Sequence, residues 1–471
     1  MKQSQFIKNY SDAILSGNAA VFAGAGLSSA SGFVNWKELL RPLAEEIGLS
    51  MEKEHDYLAV AQYYYNRKRT RSCINDALYQ LFTSEPKENK SLKIITRLPV
   101  DTYWTTNYDH LLEGALKENN RKPDIKISKE NLALNKPDAS ATVYKMHGDV
   151  QFPDQTVLIK NDYETYGIKR DVFTTVLKGH LLSKTFLFIG FSFEDPNLNS
   201  ILAWIKMLLG DDVKQHYCIM KEVSEQPGES KADFAYRIGK QDCITDDLRR
   251  YGIETVFVKS YEDIPKLLEQ VEKQCNLKNI FLSGSISADT ASWTVCEAEL
   301  FTKTFAGRLA EKKLCLTSGY GSHIGSAVIT GVLKEVQRQK FAHFDNYLRL
   351  YPFPYLETGT DQKAVWHDYR KEMITPCRVA VFLFGNKKDS HGNCILADGM
   401  LEEFEIAKER QTILIPVGST EGAALEIYNR MFAEKKMYPY LEKYWSLLKH
   451  ERSAEKIADA VIEIVAQAAV Y

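Results

Sequence analysis

Short apolar runs alternate with helical patterns along the whole chain, and they fall into two successive sets. In the first set Ala19–Ala23, Thr102–Trp104, Thr142–Met146, Val157–Ile159, Thr185–Phe191, His216–Met220 and Ile253–Val258 read as strands. In the second, Ile280–Leu282, Leu314–Thr317, Tyr347–Leu350, Val379–Phe384 and Thr412–Val417 do the same. Apolar strands separated by helices predict strand–helix–strand units around a mostly parallel sheet, so both halves read as α/β. Between the first two strands Trp36, Leu39, Leu40, Leu43 and Ile47 recur at helical spacing, and Gly48 stands where a C-cap belongs. A second helical piece covers Tyr57–Arg67. The stretch from Gly32 to about Leu98 exceeds a simple crossover, which predicts a helical subdomain able to wall a cleft. The amphipathic run Ile264–Val271 ends in EKQCNLKN before a new cycle starts at Ile280. That places a domain boundary near Asn276, giving a first domain of 1–275 and a second of 276–471.

At 471 residues the chain is long enough for several domains, and 44% hydrophobic with 26% charged residues is an ordinary globular composition. Sixty Lys and Arg against 62 Asp and Glu leave a formal charge of -2. No global basic field exists to hold a nucleic-acid backbone, so no nucleic-acid partner is expected. The opening MKQSQFIKNYSDAILSGN lacks the apolar core of an export signal, and runs such as Thr185–Phe191 fall short of the ~20 residues that span a bilayer. The expectation is a soluble, cytoplasmic protein without a membrane segment. Eight cysteines never approach closer than 17 positions, which excludes a local C-x2-C zinc motif and predicts reduced thiols and no metal. The basic cluster Arg67–Arg71 reads as a solvated face.

Polar residues gather after the first-half strands. Gly24-Ala25-Gly26-Leu27-Ser28-Ser29 follows the first of them. Glycines there let backbone approach a pyrophosphate at a helix start, although a tight turn needs them equally. Thr105-Thr106-Asn107-Tyr108-Asp109 follows the second, where Asp109 reads as ligand group or N-cap and Asn107 has no capping duty. Lys145-Met146-His147-Gly148-Asp149 carries a histidine suited to proton transfer, or simply a structural one. Gly190–Asn197 ends in Asp195-Pro196, which fit N-cap and N1.

Taken together and in this order, GAGLS, TTNYD, HGD and GFSFEDPN resemble the sirtuin family over roughly Asn18–Val258. The resemblance implies that NAD is the substrate, with Gly24, Ala25, Gly26 and Ser28 cradling its pyrophosphate. It assigns Asn107 to the nicotinamide ribose and the attacking group, Asp109 to the nicotinamide pocket, and His147 to general-base catalysis. Ser192 and Asn197 would meet the adenosine end. Protein-deacylating sirtuins carry a zinc ribbon of two cysteine pairs, and this chain has no such pairs. Water then becomes the acceptor of the ribosyl cation, which predicts nicotinamide and ADP-ribose as products. The alternatives are a protein deacylase, a silent nucleotide-binding scaffold, or transfer of ADP-ribose to protein.

The second half repeats the theme. Ser283-Gly284-Ser285 ends a strand, and Ser318-Gly319-Tyr320-Gly321 opens another strand-to-helix turn; either serves anion binding or close helix packing. Arg370 can grip a phosphate with paired hydrogen bonds, Lys387 follows the strand Val379–Phe384, and Glu403 can accept from ribose hydroxyls. SGS, SGYGSHIGSAV, YRKEM, FGNK and EEF resemble the SLOG superfamily of Rossmann-like nucleotide-binding domains. A sirtuin-like module followed by such a domain resembles the NAD-consuming effector of the Thoeris antiphage defence system. The fold class expected is α/β, with two Rossmann-like doubly wound parallel-sheet domains, the first carrying a helical insertion. The resemblance further implies that Gly284, Ser285, Gly319, Gly321, Arg370, Lys387 and Glu403 bind a cyclic ADP-ribose isomer made by a TIR-domain partner enzyme. It also implies a homotetramer.

Overall fold

The computed structural model describes the chain apart from residues 34–35, 83–84, 194, 340–342, 355–361, 390 and 469–471, and apart from the side chains of Trp36 and Leu81. It divides into two units, Met1–Cys275 and Asn276–Tyr471.

The first unit is built on seven strands: β1 (Ala19–Ala23), β2 (Thr102–Thr105), β3 (Pro123–Lys126), β4 (Ala141–Lys145), β5 (Thr185–Ile189), β6 (His216–Lys221) and β7 (Ile253–Val258). They run parallel in the order β3-β4-β2-β1-β5-β6-β7. Strands buried on both faces read as unbroken apolar runs, as AAVFA and TFLFI do. Val21, Tyr103, Leu187 and Tyr217 meet Phe6, Tyr10, Leu268 and Val271 on one face. Phe22, Trp104, Phe186 and Phe188 meet Phe173, Leu177, Ile201 and Leu202 on the other.

Register sets the height of the loops. Ala23 pairs with both Thr105 and Ile189, so the chain leaves β1, β2 and β5 at one level. Strand order reverses between β1 and β5, and such a switch point opens a crevice at the carboxyl ends of a parallel sheet. The helical insertion consists of Trp36–Glu46, Tyr57–Lys68, Ser72–Leu81 and Lys90–Arg97. Its first three helices share a core of Leu40, Leu43, Val60, Tyr64, Ile74 and Leu78 with Tyr108, Val150, Leu158 and Ile159. The insertion thus packs on the loops that follow β2 and β4.

Three expectations need correction. Val157–Ile159 is not a strand: Leu158 and Ile159 are buried in the insertion's core and Val157 in the core against the sheet, and the Asp162 carboxylate accepts the N–H groups of Leu158 and Ile159 at 3.0 Å each. Strand β3 was not expected from PDIK, which opens on a proline at the sheet edge and buries an Asp124–Lys126 ion pair of 2.7 Å. The basic cluster is only partly a solvated face. Arg71 binds both carboxylate oxygens of Asp162, at 3.0 and 2.8 Å, and the Thr156 carbonyl at 2.6 Å.

The second unit holds β8 (Asn279–Ser285), β9 (Cys315–Ser318), β10 (Leu348–Leu350), β11 (Val379–Phe384) and β14 (Ile413–Pro416), parallel in the order β10-β9-β8-β11-β14. Its switch point lies between β8 and β11. An antiparallel hairpin, β12 (Asn386–Lys388) with β13 (Cys394–Leu396), follows β11 and has no counterpart in the sequence reading. Two doubly wound parallel sheets, one with a helical insertion, are the expected fold class. All eight cysteines are unpaired thiols. Among the described residues no helix is long and apolar enough to cross a membrane.

Candidate active site and candidate effector site

Two turns meet at the switch point of the first sheet. Gly24 N donates to Ile189 O at 2.9 Å and Gly26 N to Gly190 O at 2.8 Å. A Cβ on Gly24 would lie 2.3 Å from Gly190 O, and one on Gly190, whose φ is +64°, would lie 2.3 Å from Leu27 N. The glycines are therefore required by the contact between the turns, and the Gly26 N–H is already committed to it.

Asn107 closes this arrangement from β2. Thr105 Oγ1 donates to Ala23 O at 2.9 Å and accepts from Asn107 N at 2.9 Å, which fixes the turn. The Asn107 amide then donates to Gly24 O at 3.0 Å and Ser28 Oγ at 2.7 Å. Its Oδ1 meets no protein donor among the described residues. Ser28 Oγ donates onward to Asp109 Oδ2 at 2.6 Å, and Asp109 Oδ1 accepts Leu111 N at 3.0 Å at the start of the helix Leu111–Glu118. Ala23, Leu27, Ser28, Asn107, Asp109 and Glu113 line a cavity of only about 10 Å³, room for a single water.

His147 does not line that cavity. It is buried beyond β4, with Tyr163 edge-on at 5.4 Å and Tyr166 at 6.2 Å. Its Nε2 lies 3.1 Å from Asp195 Oδ2, close enough for charge attraction though not aligned as a hydrogen bond. Asp195 Oδ1 also caps the helix Pro196–Leu209, accepting Leu198 N at 2.9 Å. Burial pushes the Asp195 carboxyl up, yet His147 and the cap N–H groups hold it below its ordinary value. Of the remaining expected residues, Ala25 and Ser192 are exposed, and Asn197 Nδ2 is buried with no hydrogen-bond partner among the described residues. Glu194 of GFSFEDPN lies outside the described residues.

The two clusters are joined by a residue to which the sequence reading gave no role. Lys145 is fully buried, and its ammonium donates to Tyr108 O at 3.1 Å, Asp109 O at 2.5 Å and Asp149 Oδ2 at 2.6 Å, with Glu113 Oε1 at 3.2 Å. It ties the turn holding Asn107 to the strand end holding His147. Burial raises the Glu113 carboxyl above its usual range despite the lysine. Asp149 resists the same effect: His110 Nε2 at 2.8 Å and Lys145 keep it low. The only mark Lys145 leaves in the sequence is its place at a strand end, where a lysine ordinarily faces water.

In the second unit Gly284 and Gly321 meet: a Cβ on Gly321 would lie 2.0 Å from Gly284 O. Ser285 Oγ donates to Asn386 O at 3.0 Å. Gly319 lies beside Phe353, whose ring also carries the Arg370 guanidinium 4.9 Å from its centroid. Arg370 is buried, pairs with Glu402 at 2.8 Å, and has Glu403 Oε1 3.5 Å from Nε. Ser283 Oγ donates to Glu403 Oε2 at 2.6 Å. Burial, outweighing Ser283 and Arg370, pushes the Glu403 carboxyl up to about 7. Lys387 pairs with Asp398, on the helix Asp398–Glu409 that also carries Glu402 and Glu403. The structure thus collects Arg370, Glu403 and Gly319 with Ser283 and Glu402, which the sequence reading named only within the SGS and EEF motifs, and with Phe353, to which it gave no role.

Residues 101–239 match the SIR2-like domain family and residues 263–468 the Sir2- and TIR-associating SLOG family, STALD. The chain is 41% identical to NAD(+) hydrolase ThsA of Bacillus cereus (strain MSX-D12), over 98% of this chain and 97% of the relative. It is 40% identical to the protein of the same name from Acinetobacter baumannii (strain 532279), over 88% of each, and 38% identical to that of Enterococcus faecium, over 92% and 91%. Likeness of this extent, through both the SIR2-like and the SLOG part, means that the chain belongs to the ThsA family of NAD(+) hydrolases.

Proposed function

We propose that the first unit cleaves NAD with water to nicotinamide and ADP-ribose, releasing one proton, and that a cyclic ADP-ribose isomer bound to the second unit switches this reaction on in antiphage defence. The observation that carries the reading is the Asn107 amide, held at the β1/β5 switch point between Gly24 and Ser28 with its oxygen unpartnered. The bond to a cationic pyridinium breaks with oxocarbenium character. Catalysis therefore calls for a fixed ribose, a dry nicotinamide pocket and one base. Asn107 Oδ1 takes the ribose, Asp109 lines the nicotinamide side, and His147 accepts the proton of the attacking water. Ala25, Gly26, Ser192 and Asn197 border the rest of the dinucleotide.

The cavity beside Asn107, about 10 Å³, holds no more than a water. An enzyme that consumes NAD has to stay silent until signalled. A ligand shifts such an equilibrium only by preferring the active state, and about 10⁴-fold preference carries 1:99 to 99:1. In the second unit Arg370, Lys387 and Glu403, with the turns at Gly284, Ser285, Gly319 and Gly321, form the signal site. A ligand phosphate competes with Glu402 for the Arg370 guanidinium. The signal comes from a TIR-domain enzyme, and the working form is a homotetramer in the cytoplasm.

The test is nicotinamide release from NAD by the full chain, with and without cyclic ADP-ribose isomers. Asn107→Ala and His147→Ala should lower turnover about 10²–10⁴-fold, and Arg370→Ala should lose the response to the isomer. Bound NAD without nicotinamide release under every isomer, or label transferred to polypeptide, would overturn the reading.

A further inference from the structure

The His147 ring leaves one nitrogen to be explained. Nε2 is buried and faces the Asp195 carboxylate at 3.1 Å, while Nδ1 makes no hydrogen bond to a protein group among the described residues. Tyr163 and Tyr166 stand edge-on to the ring, and the Tyr166 hydroxyl is spent on Met146 O at 3.1 Å. The carboxylate is therefore the polar group set against Nε2. Ionised, it accepts a proton and donates none, so it favours the tautomer with hydrogen on Nε2 and a free lone pair on Nδ1.

We infer that Asp195 is the positioning residue of the His147 base: it selects the Nε2–H tautomer, presents the Nδ1 lone pair to the attacking water, and pairs with the imidazolium that forms. The inference rests on the NAD-cleaving reading above. The proton balance is simple. Water oxygen bonds the anomeric carbon as the nicotinamide leaves with its bonding pair, the water proton passes to Nδ1, and both ring nitrogens then carry hydrogen beside one carboxylate. The same side chain caps Pro196–Leu209 through its other oxygen. A helix cap alone explains Oδ1, and it leaves the approach of Oδ2 to a buried imidazole unexplained.

Asparagine and serine both cap helices about as well as aspartate, which separates the two roles. Asp195→Asn keeps the cap and turns an amide N–H₂ toward Nε2, which stabilises the opposite tautomer and removes the base; nicotinamide release should fall about 10²–10⁴-fold. Asp195→Ser keeps the cap without reaching the ring, leaves the tautomer unbiased, and should fall between wild type and Asp195→Asn. In a His147→Ala background Asp195→Asn should cost nothing further, because the two act as one unit. Ring-nitrogen ¹⁵N signals of histidine-labelled protein, assigned against His147→Gln, should show Nε2 protonated in the wild type and Nδ1 protonated in Asp195→Asn. Equal activity of wild type and Asp195→Asn, equal losses for Asn and Ser, or an unchanged tautomer would overturn the inference. Wild type that releases no nicotinamide would instead overturn the function, and the ¹⁵N measurement would still decide the role of Asp195.

Discussion

Replacing Lys145 by methionine should weaken the first unit and its site together. Methionine keeps most of the aliphatic stem, so the change is chiefly electrostatic. It removes the ammonium from two carbonyls and two carboxylates, all within 3.2 Å. Breaking a buried ion pair by deleting one partner typically costs about 3–5 kcal/mol. Asp149 still has His110 and the Gln151 N–H, at 2.8 Å each, so the lower end, about 3 kcal/mol at pH 7, is expected. Glu113 loses the cation that does most to offset its burial, with His110 left as the weaker one. Its carboxyl, already raised, rises further, so the folded state binds a proton more readily than the unfolded chain does. Stability then falls as pH rises, and the deficit of Lys145→Met should be larger at pH 8 than at pH 5. Urea titration of the full chain at the two pH values measures this. The same variant uncouples the Asn107 turn from the His147 strand end, so turnover should drop at least ~10-fold through lost orientation. A midpoint matching the wild type, or a loss of stability with full turnover, would refute the idea that Lys145 holds the two clusters in register.

Gly190→Ala places a methyl 2.3 Å from Leu27 N at a φ of +64° and should lower the melting temperature while parting the β1 and β5 turns; a destabilisation of about 2 kcal/mol or more is expected. Arg71→Ala strips Asp162 and Thr156 O of their clamp beneath the insertion and should cost about 1.5–3 kcal/mol, read by urea titration. Glu403, raised to about 7, binds its proton more tightly in the folded state, so the second unit should lose stability, on the order of 3 kcal/mol, as pH climbs from about 5 to about 8. Glu403→Gln should flatten that slope in melting curves taken across the same range.

Strands were legible wherever both faces of the sheet are covered. AAVFA and VAVFLF are buried from end to end and TFLFI from Phe186 on, and a continuous apolar run is what such a position demands. The reading failed where burial and pairing part company. Val157–Ile159 is an unbroken apolar run, yet it is buried in side-chain cores and joins no ladder among the described residues. Strand β3 pairs with β4 as PDIK, with its charges neutralised locally at the edge. The hairpin of β12 and β13 is largely exposed, so no alternation marks it.

The site was legible in its residue types and illegible in its pairings, and the reason is strand order. Local pattern locates Asn107, His147 and the Gly24 turn after strands, and a parallel sheet sends those ends to one side. Which ends become neighbours depends on the crossovers. The order β4-β2-β1-β5 brings Asn107 onto Gly24 and Ser28, across about eighty positions of chain. Asp195 shows the limit most clearly: its sequence neighbours Pro196 and Asn197 account fully for a cap, and nothing near it announces His147. Glu402 and Glu403 pose the same problem in the second unit, where adjacent carboxylates on one helix divide a single buried guanidinium between them. A chain of near-zero net charge can thus bury its functional charges against partners that are mostly remote in sequence, and reveal them only once the order of its strands is known.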